Sequence, residues 1–315
     1  MNQEILQVGR LSPAGEADIQ AAFKVSLLSE QADPEAFLVS EGHRFHGLIT
    51  IAPIGASKTL LSQLPNLKVI ACRGIGVEKI DLDVARDRDI SVSSTPDVLT
   101  DCVADLAVGL IIDTVRRISA ADRFARSGKW RSGPFPLATR VSGKKLGILG
   151  MGKIGSAIAQ RALGFQMEIR YHNRRPLSDC PYPYESSAMS LARWADFLMV
   201  AVSGGPHSRH LVNRDVLAAL GPQGYLFNIS RGLVIDEGAL LESLQQKIIA
   251  GAGLDVFTDE PSIPSGFMEC DQVVITPHIG SGTHETRLAM ERLLLDNLLS
   301  FFSTGRLLTP VLESH

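Results

Sequence analysis

The sharpest chemical signal in this chain is the run Gly150-Met151-Gly152-Lys153-Ile154-Gly155. A G-x-G-x-x-G pattern means little alone. This one follows an apolar segment (146–149) and opens a helix-like one (154–163), which is the context of a phosphate-cradling turn. Gly150 permits the tight turn, Gly152 lets backbone approach a pyrophosphate, and Gly155 allows helix to pack close on strand. The helix start beyond it offers unpaired N–H groups and a partial positive charge to phosphates. A site for a dinucleotide carrying a free adenosine ribose places an Asp or Glu about 20 residues further on. Here the strand ends in Asn173-Arg174-Arg175-Pro176, with no carboxylate. A carboxylate repels a 2′-phosphate, whereas Arg174 and Arg175 can bind one through charge-assisted hydrogen bonds. The expected coenzyme is NADP, with NAD as the alternative.

Two later stretches place reactive side chains after apolar strands, where an open parallel sheet holds its ligand. They are Asn228-Ile229-Ser230-Arg231-Gly232 and Thr276-Pro277-His278-Ile279-Gly280, with Asp255 and Glu260 between them in sequence. Hydride addition to a ketone leaves negative charge on oxygen, so a proton donor is needed, and histidine titrates in the right range. A neighbouring carboxylate would orient its ring and favour the protonated form. The carboxylate of a 2-oxo acid suits arginine's planar fork. Arg231, Glu260 and His278 thus make a complete set for reducing such an acid. Spacing alone does not bring them together.

These residues need elements to hold them. Apolar runs at 5–8, 47–51, 68–72 and 90–93 alternate with helical patterns such as 57–64 and 81–88. A long helical pattern at 101–118 leads into a Gly/Pro/aromatic arm at 127–137 containing Trp130. Strands are expected again at 146–149, 168–172, 197–202, 225–229, 253–256 and 273–276, followed by a helix over 283–301. Strand–helix alternation predicts parallel sheets covered by helices, and the second series has the strand count of a complete dinucleotide-binding sheet.

Composition narrows the class. The 315 residues suit two domains, and 45% apolar with 21% charged residues is ordinary for a folded enzyme. Lys+Arg at 31 against Asp+Glu at 34 gives a net charge of −3, which argues against a nucleic-acid partner. The longest apolar stretch, 103–112, contains Asp105 and falls short of the about 20 residues of a membrane span. The N-terminus lacks a secretory pattern, so a cytoplasmic protein is expected. Cys72, Cys102, Cys180 and Cys270 are too widely spaced for a zinc or redox motif. Reduced, mostly buried thiols and no metal are the expectation.

Several motifs in one order carry a resemblance: Gly74-Ile75-Gly76-Val77-Glu78, Thr95-Pro96-Asp97, the glycine turn, Asn228 to Gly232, Gly253-Leu254-Asp255-Val256-Phe257, and Pro277 to Thr283. Through them the chain resembles the D-2-hydroxyacid dehydrogenases, especially the glyoxylate/hydroxypyruvate reductases and plant hydroxyphenylpyruvate reductases. The resemblance implies an α/β fold of two doubly wound parallel-sheet domains with a cleft between. The Rossmann-type cofactor domain would span 100–287, and the smaller flavodoxin-like substrate domain 1–99 with 288–315. It further implies His278 as proton donor, Glu260 as its partner and Arg231 on the substrate carboxylate and carbonyl. Amides of Ile75 and Gly76 would join in binding the carboxylate. Residues 151–154 would hold the pyrophosphate, Asn173 to Arg175 the 2′-phosphate, and Ile229 and Asp255 further parts of the coenzyme. A homodimer is implied, with the Trp130 arm at its interface.

The expected reaction is NADPH-dependent reduction of a small 2-oxo acid, glyoxylate or hydroxypyruvate, to the D-hydroxy acid. Bulkier acids (hydroxyphenylpyruvate, 2-ketogluconate) are the alternative, and a non-enzymatic dinucleotide-responsive binding protein of the same fold is a third reading. L-specific lactate and malate dehydrogenases are disfavoured, because about half of this chain precedes the glycine turn. Arg73 and the Ser203-Gly204-Gly205-Pro206 run depart from the usual family pattern and bear on substrate preference.

Overall fold

Short apolar runs flanked by capping residues become strands and crossover helices throughout residues 3–311, which the computed structural model describes. The first two and last four residues, at the ends of the expected substrate domain, lie outside it. In chain order the elements begin β1 (Glu4–Gln7), α1 (Pro13–Ala22), β2 (Lys24–Leu27), α2 (Pro34–Glu41), β3 (Gly47–Ile51) and α3 (Lys58–Ser62). They continue with β4 (Val69–Arg73), α4 (Leu82–Asp87), β5 (Ser91–Ser93), α5 (Thr100–Arg116), α6 (Ile118–Arg126), β6 (Lys145–Leu149) and α7 (Lys153–Leu163). Next come β7 (Glu168–His172), α8 (Ala188–Trp194), β8 (Phe197–Val200), α9 (Arg214–Leu220), β9 (Tyr225–Asn228) and α10 (Glu237–Gln245). The last are β10 (Gly251–Leu254), α11 (Ser265–Met268), β11 (Val273–Ile275) and α12 (His284–Thr304).

The chain divides into two compact units. One is built from residues up to Leu99 with those from Thr283 onward, and the other runs from Thr100 to Gly282. Thr283 is the N-cap of α12, its side chain accepting from the Thr286 N–H. A helix moves as one piece, so the chain changes unit at its cap and not inside its second turn at 288.

The first unit holds a five-stranded sheet in the order β2-β1-β3-β4-β5, parallel throughout. That is the flavodoxin-like order. Ile5, Leu48, Ile49, Val69 and Ile70 are wholly buried, as the near-continuous apolar runs of a two-faced sheet require. The strand β2 was not expected from the sequence. Its Lys-Val-Ser-Leu run begins directly after α1, is only partly buried, and lies at the sheet edge.

The second unit holds a six-stranded parallel sheet in the order β11-β10-β9-β8-β6-β7. A one-residue parallel bridge sets Tyr184 beside Tyr171 of β7, in the place of a further edge strand. Counting it, the order becomes the 3-2-1-4-5-6 progression of dinucleotide-binding sheets, extended by one strand. The direction in which strands are added reverses between β6 and β8, which pair in parallel from Leu146↔Phe197 to Leu149↔Val200. Ligands of such sheets bind at the carboxyl ends beside that reversal.

Ser57, Asp81, Ser187, Asn213 and Asp236 each accept a backbone N–H at the start of α3, α4, α8, α9 and α10. Gly152, at the start of α7, has no side chain to do so. The start of α7 therefore carries no side-chain acceptor of its own at the N-cap.

Two local expectations are corrected. The helical pattern at 101–118 breaks at Arg117, which adopts φ 57° and starts α6 in a new direction. The 127–137 arm is not wholly irregular: Lys129–Ser132 form a 3-10 turn. Of the cysteines only Cys72 is fully buried, the other three being half-buried, and all are free thiols. Among the described residues no helix is long and apolar enough to cross a membrane.

Candidate active site

The glycine turn after β6 shows why each glycine stands where it does. Gly150 adopts φ +99°, and a Cβ on it would lie 2.7 Å from the Ala201 carbonyl and the Val202 nitrogen. A Cβ on Gly155 would lie 2.1 Å from the Gly150 oxygen. Helix and turn therefore pack at backbone contact. Gly152 faces open space, where a side chain would stand in the way of a phosphate group. The uncapped α7 start and this open glycine fit a pyrophosphate.

At the end of β7, Asn173 Oδ1 accepts the Met151 N–H at 2.7 Å, which ties the arginine loop to the glycine turn. Arg174 and Arg175 are exposed, and among the described residues neither has an ion-pair partner. The strand end after β7 therefore carries two exposed arginines and no carboxylate.

Beyond β9, Asn228 is buried and clamps the next turn. Its Oδ1 accepts from the Ser230 N–H (3.0 Å) and hydroxyl (2.9 Å), and its Nδ2 donates to the Arg231 carbonyl at 3.0 Å. Arg231 Nη1 donates to the Ser230 carbonyl at 2.7 Å. Gly232 then meets the segment after β10 so closely that a Cβ would fall 2.0 Å from the Phe257 carbonyl carbon. Only glycine fits there, and this contact sets the Arg231 turn against the segment that carries Glu260.

Glu260 and His278 meet although 18 residues apart, His278 Nδ1 lying 2.6 Å from Glu260 Oε2. The Phe257 N–H donates to the other carboxylate oxygen at 3.0 Å. Burial alone would raise the Glu260 carboxyl. The His278 hydrogen bond, the Phe257 N–H and the charges of His278 and Arg231 outweigh it and hold the group below its ordinary value. The Glu260 carboxylate is thus ionised, and Nδ1–H is the donor of the pair. His278 Nε2 remains as the nitrogen able to exchange a proton with a ligand, on a side chain 37% exposed.

His278 itself adopts φ 52°. Asp255 enforces that turn: its Oδ1 accepts from the Thr276 hydroxyl (2.6 Å) and the Ile279 N–H (2.8 Å), and its Oδ2 from the Gly280 N–H (2.9 Å). Burial pushes its carboxyl up despite these donors. Asp255, expected from the resemblance as a coenzyme contact, therefore has both oxygens committed to the loop that carries His278. Ile229 is buried at the end of β9, its N–H donating to Val200 at 3.3 Å.

In the first unit, Gly74 adopts φ +135° and its N–H donates to the Thr95 hydroxyl at 2.9 Å. The following Ile75 and Gly76 N–H groups have no acceptor among the described residues, as an anion-binding loop requires. Arg73 turns away to the buried Glu291 of α12, Nη1 to Oε1 at 2.7 Å. Glu291 also accepts from the Ser12 N–H and hydroxyl.

The structure thus unites His278 with Glu260, sets Arg231 near them, and joins Asn173 to the glycine turn. Asn228 was singled out only as part of a motif, and its role as a clamp has no local sequence signal beyond the Asn-x-Ser run. No cluster of His, Cys, Asp and Glu able to hold a metal ion occurs among the described residues.

Residues 108–280 match the NAD-binding domain of the D-isomer specific 2-hydroxyacid dehydrogenases. The chain belongs to that family. As a member it is an enzyme, an oxidoreductase with an NAD-binding domain. It is 42% identical to the glyoxylate/hydroxypyruvate reductase A of Arabidopsis thaliana, across 98% of both chains. A 2-ketogluconate reductase of Gluconobacter oxydans is 47% identical over 84% of this chain and 86% of its own. Among solved structures, a NADPH-dependent glyoxylate/hydroxypyruvate reductase of Sinorhizobium meliloti, in complex with NADP and malonate, is similar at a TM-score of 0.93 and 38% identity. That match covers 99% of this chain and 97% of the other.

Proposed function

We propose that this 2-hydroxyacid dehydrogenase reduces small 2-oxo acids, glyoxylate and hydroxypyruvate first, with NADPH, giving the D-hydroxy acid where the product is chiral. The observation that carries the reading is the His278–Glu260 pair at 2.6 Å on the carboxyl edge of a dinucleotide-binding sheet. When bound, the coenzyme supplies hydride to C2 of the oxo acid. His278 delivers the proton from Nε2 to the former carbonyl oxygen, and the electron pair of that N–H bond returns to the ring. Glu260 keeps Nδ1 protonated throughout and balances the ring's positive charge before the transfer. Arg231 holds the substrate carboxylate and draws charge from the carbonyl oxygen. The Ile75 and Gly76 amides contribute further donors to the carboxylate.

Residues 151–154 hold the pyrophosphate and Arg174 with Arg175 the 2′-phosphate. Asn173 supports their loop, and Ile229 packs against the coenzyme. Purified enzyme supplied with NADPH or NADH and, in turn, glyoxylate, hydroxypyruvate, hydroxyphenylpyruvate and 2-ketogluconate tests the reading through coenzyme absorbance. Faster turnover of 2-ketogluconate than of glyoxylate would move the assignment to bulky acids, a reading favoured by the Gluconobacter relative. Arg174→Ala with Arg175→Ala is expected to weaken NADPH about 10- to 100-fold and NADH less than about twofold. Equal losses would remove the 2′-phosphate assignment.

The assembly proposed is a cytoplasmic homodimer. No residue of α6 is buried, and Trp130 and Leu137 stand exposed on the arm beyond it, 72% and 100% accessible. Phe135 folds back on Phe124 (ring centroids 5.3 Å apart), which leaves an apolar row that a second copy would cover. Sedimentation at the monomer mass would refute the dimer.

A further inference from the structure

The loop bearing Arg174 and Arg175 is stapled at both ends by tyrosine hydroxyls. At its start, the Tyr184 hydroxyl donates to the Asn173 carbonyl at 3.1 Å. At its end, the Leu177 N–H donates to the Tyr171 hydroxyl at 2.8 Å. Pro176 fixes one backbone dihedral between them. Asn173 Oδ1, holding the Met151 N–H at 2.7 Å, joins this loop to the phosphate turn. The two rings also support each other, Tyr184 standing edge-on to the buried Tyr171 (5.5 Å) and stacking on His172 (5.8 Å, 29°).

A binding loop held in place before its ligand arrives avoids much of the ordering cost of binding. Here the backbone is held while the two guanidinium heads remain free. The hydroxyls are spent on the loop, since a ring packed in this way needs no oxygen for its packing alone. We infer that Tyr184 and Tyr171 are positioning residues for 2′-phosphate recognition, their hydroxyls holding Arg174 and Arg175 in register with the pyrophosphate turn. The inference rests on the NADP reading above. Its consequence is a selectivity effect: NAD lacks the 2′-phosphate and does not use the arginine heads, so losing a staple penalises NADP alone.

Tyr184→Phe keeps both ring contacts and removes the oxygen. Calorimetric titration of the variant is expected to weaken NADP⁺ and adenosine 2′,5′-bisphosphate by about three- to tenfold, the worth of one hydrogen bond. NAD⁺ affinity should stay within about twofold and the melting temperature nearly constant. Tyr171→Phe, which strips the acceptor from the Leu177 N–H, is expected to show the same selectivity with some loss of stability. Equal weakening of NADP⁺ and NAD⁺, or unchanged NADP⁺ in both variants, overturns the inference. The Arg174→Ala, Arg175→Ala protein separates the two levels. Should it discriminate between the coenzymes while the tyrosine variants do not, the staples alone are refuted. Should it weaken both equally, the 2′-phosphate reading falls, and this inference with it.

Discussion

His278→Asn is expected to lower the turnover of 2-oxo acid reduction by about 10²- to 10⁴-fold, with coenzyme affinity unchanged. That range corresponds to about 2.7 to 5.5 kcal/mol of lost transition-state stabilisation. Asparagine is the informative replacement. Its amide can still donate to Glu260 as Nδ1–H does, and the turn at this position depends on Asp255, which grips Thr276, Ile279 and Gly280 rather than the His278 side chain. Loop and pair geometry should survive, while the side chain has no proton to release to an oxyanion. The pH profile adds a second check. Glu260 is held below its ordinary value, so as pH falls its charge is lost only below the usual carboxylate range near about 4.3. At neutral and mildly acid pH the partner of His278 is therefore already ionised, and the loss in the variant should be present across that span. Steady-state rates from about pH 5 to 9 would measure it. A variant turning over at near-normal rate would assign the proton to another group.

The glycine turn was legible because each of its constraints is local: a positive φ, an open face and a backbone contact all fall within one strand–turn–helix unit. The arginine pair could likewise be noticed locally, as two bases and no acid at one strand end. The parallel character of both sheets followed from alternation, since parallel strands need crossovers and the amphipathic stretches between the apolar runs supply them; the strand order did not. The edge strand β2 escaped because its polar–apolar alternation lasts only four residues and follows α1 with no Gly or Pro to mark a boundary. The meeting of His278 with Glu260 could not be read from spacing at all. It depends on Gly232 packing on Phe257 and on Asp255 turning the 276–280 loop, contacts made between strand ends far apart in sequence. The tyrosine staples were hidden for a similar reason: Tyr184 belongs to no regular element, and only the bridge to Tyr171 brings its hydroxyl to Asn173.

Arg231→Gln is expected to reduce kcat/KM for 2-oxo acids by about 10²- to 10³-fold or more, the cost of losing one charged donor to a developing oxyanion. NADPH affinity should remain within about threefold. The turn is held by main-chain groups, for Asn228 grips the Arg231 carbonyl and the Ser230 N–H, and Gly232 packs on Phe257. Glutamine at this position is therefore expected to leave the turn in place. Nη1 donates to the Ser230 carbonyl, a contact that helps orient the guanidinium. A fork so oriented can serve carboxylate and carbonyl oxygen together, which a lysine's point charge cannot. Arg231→Lys should consequently recover KM more than kcat. The split distinguishes two roles: charge alone binds the anion, whereas geometry stabilises the alkoxide as it forms. Oxo-acid kinetics intact in the glutamine variant, or coenzyme affinity lost along with them, would show that the guanidinium serves the fold or the coenzyme and not the substrate.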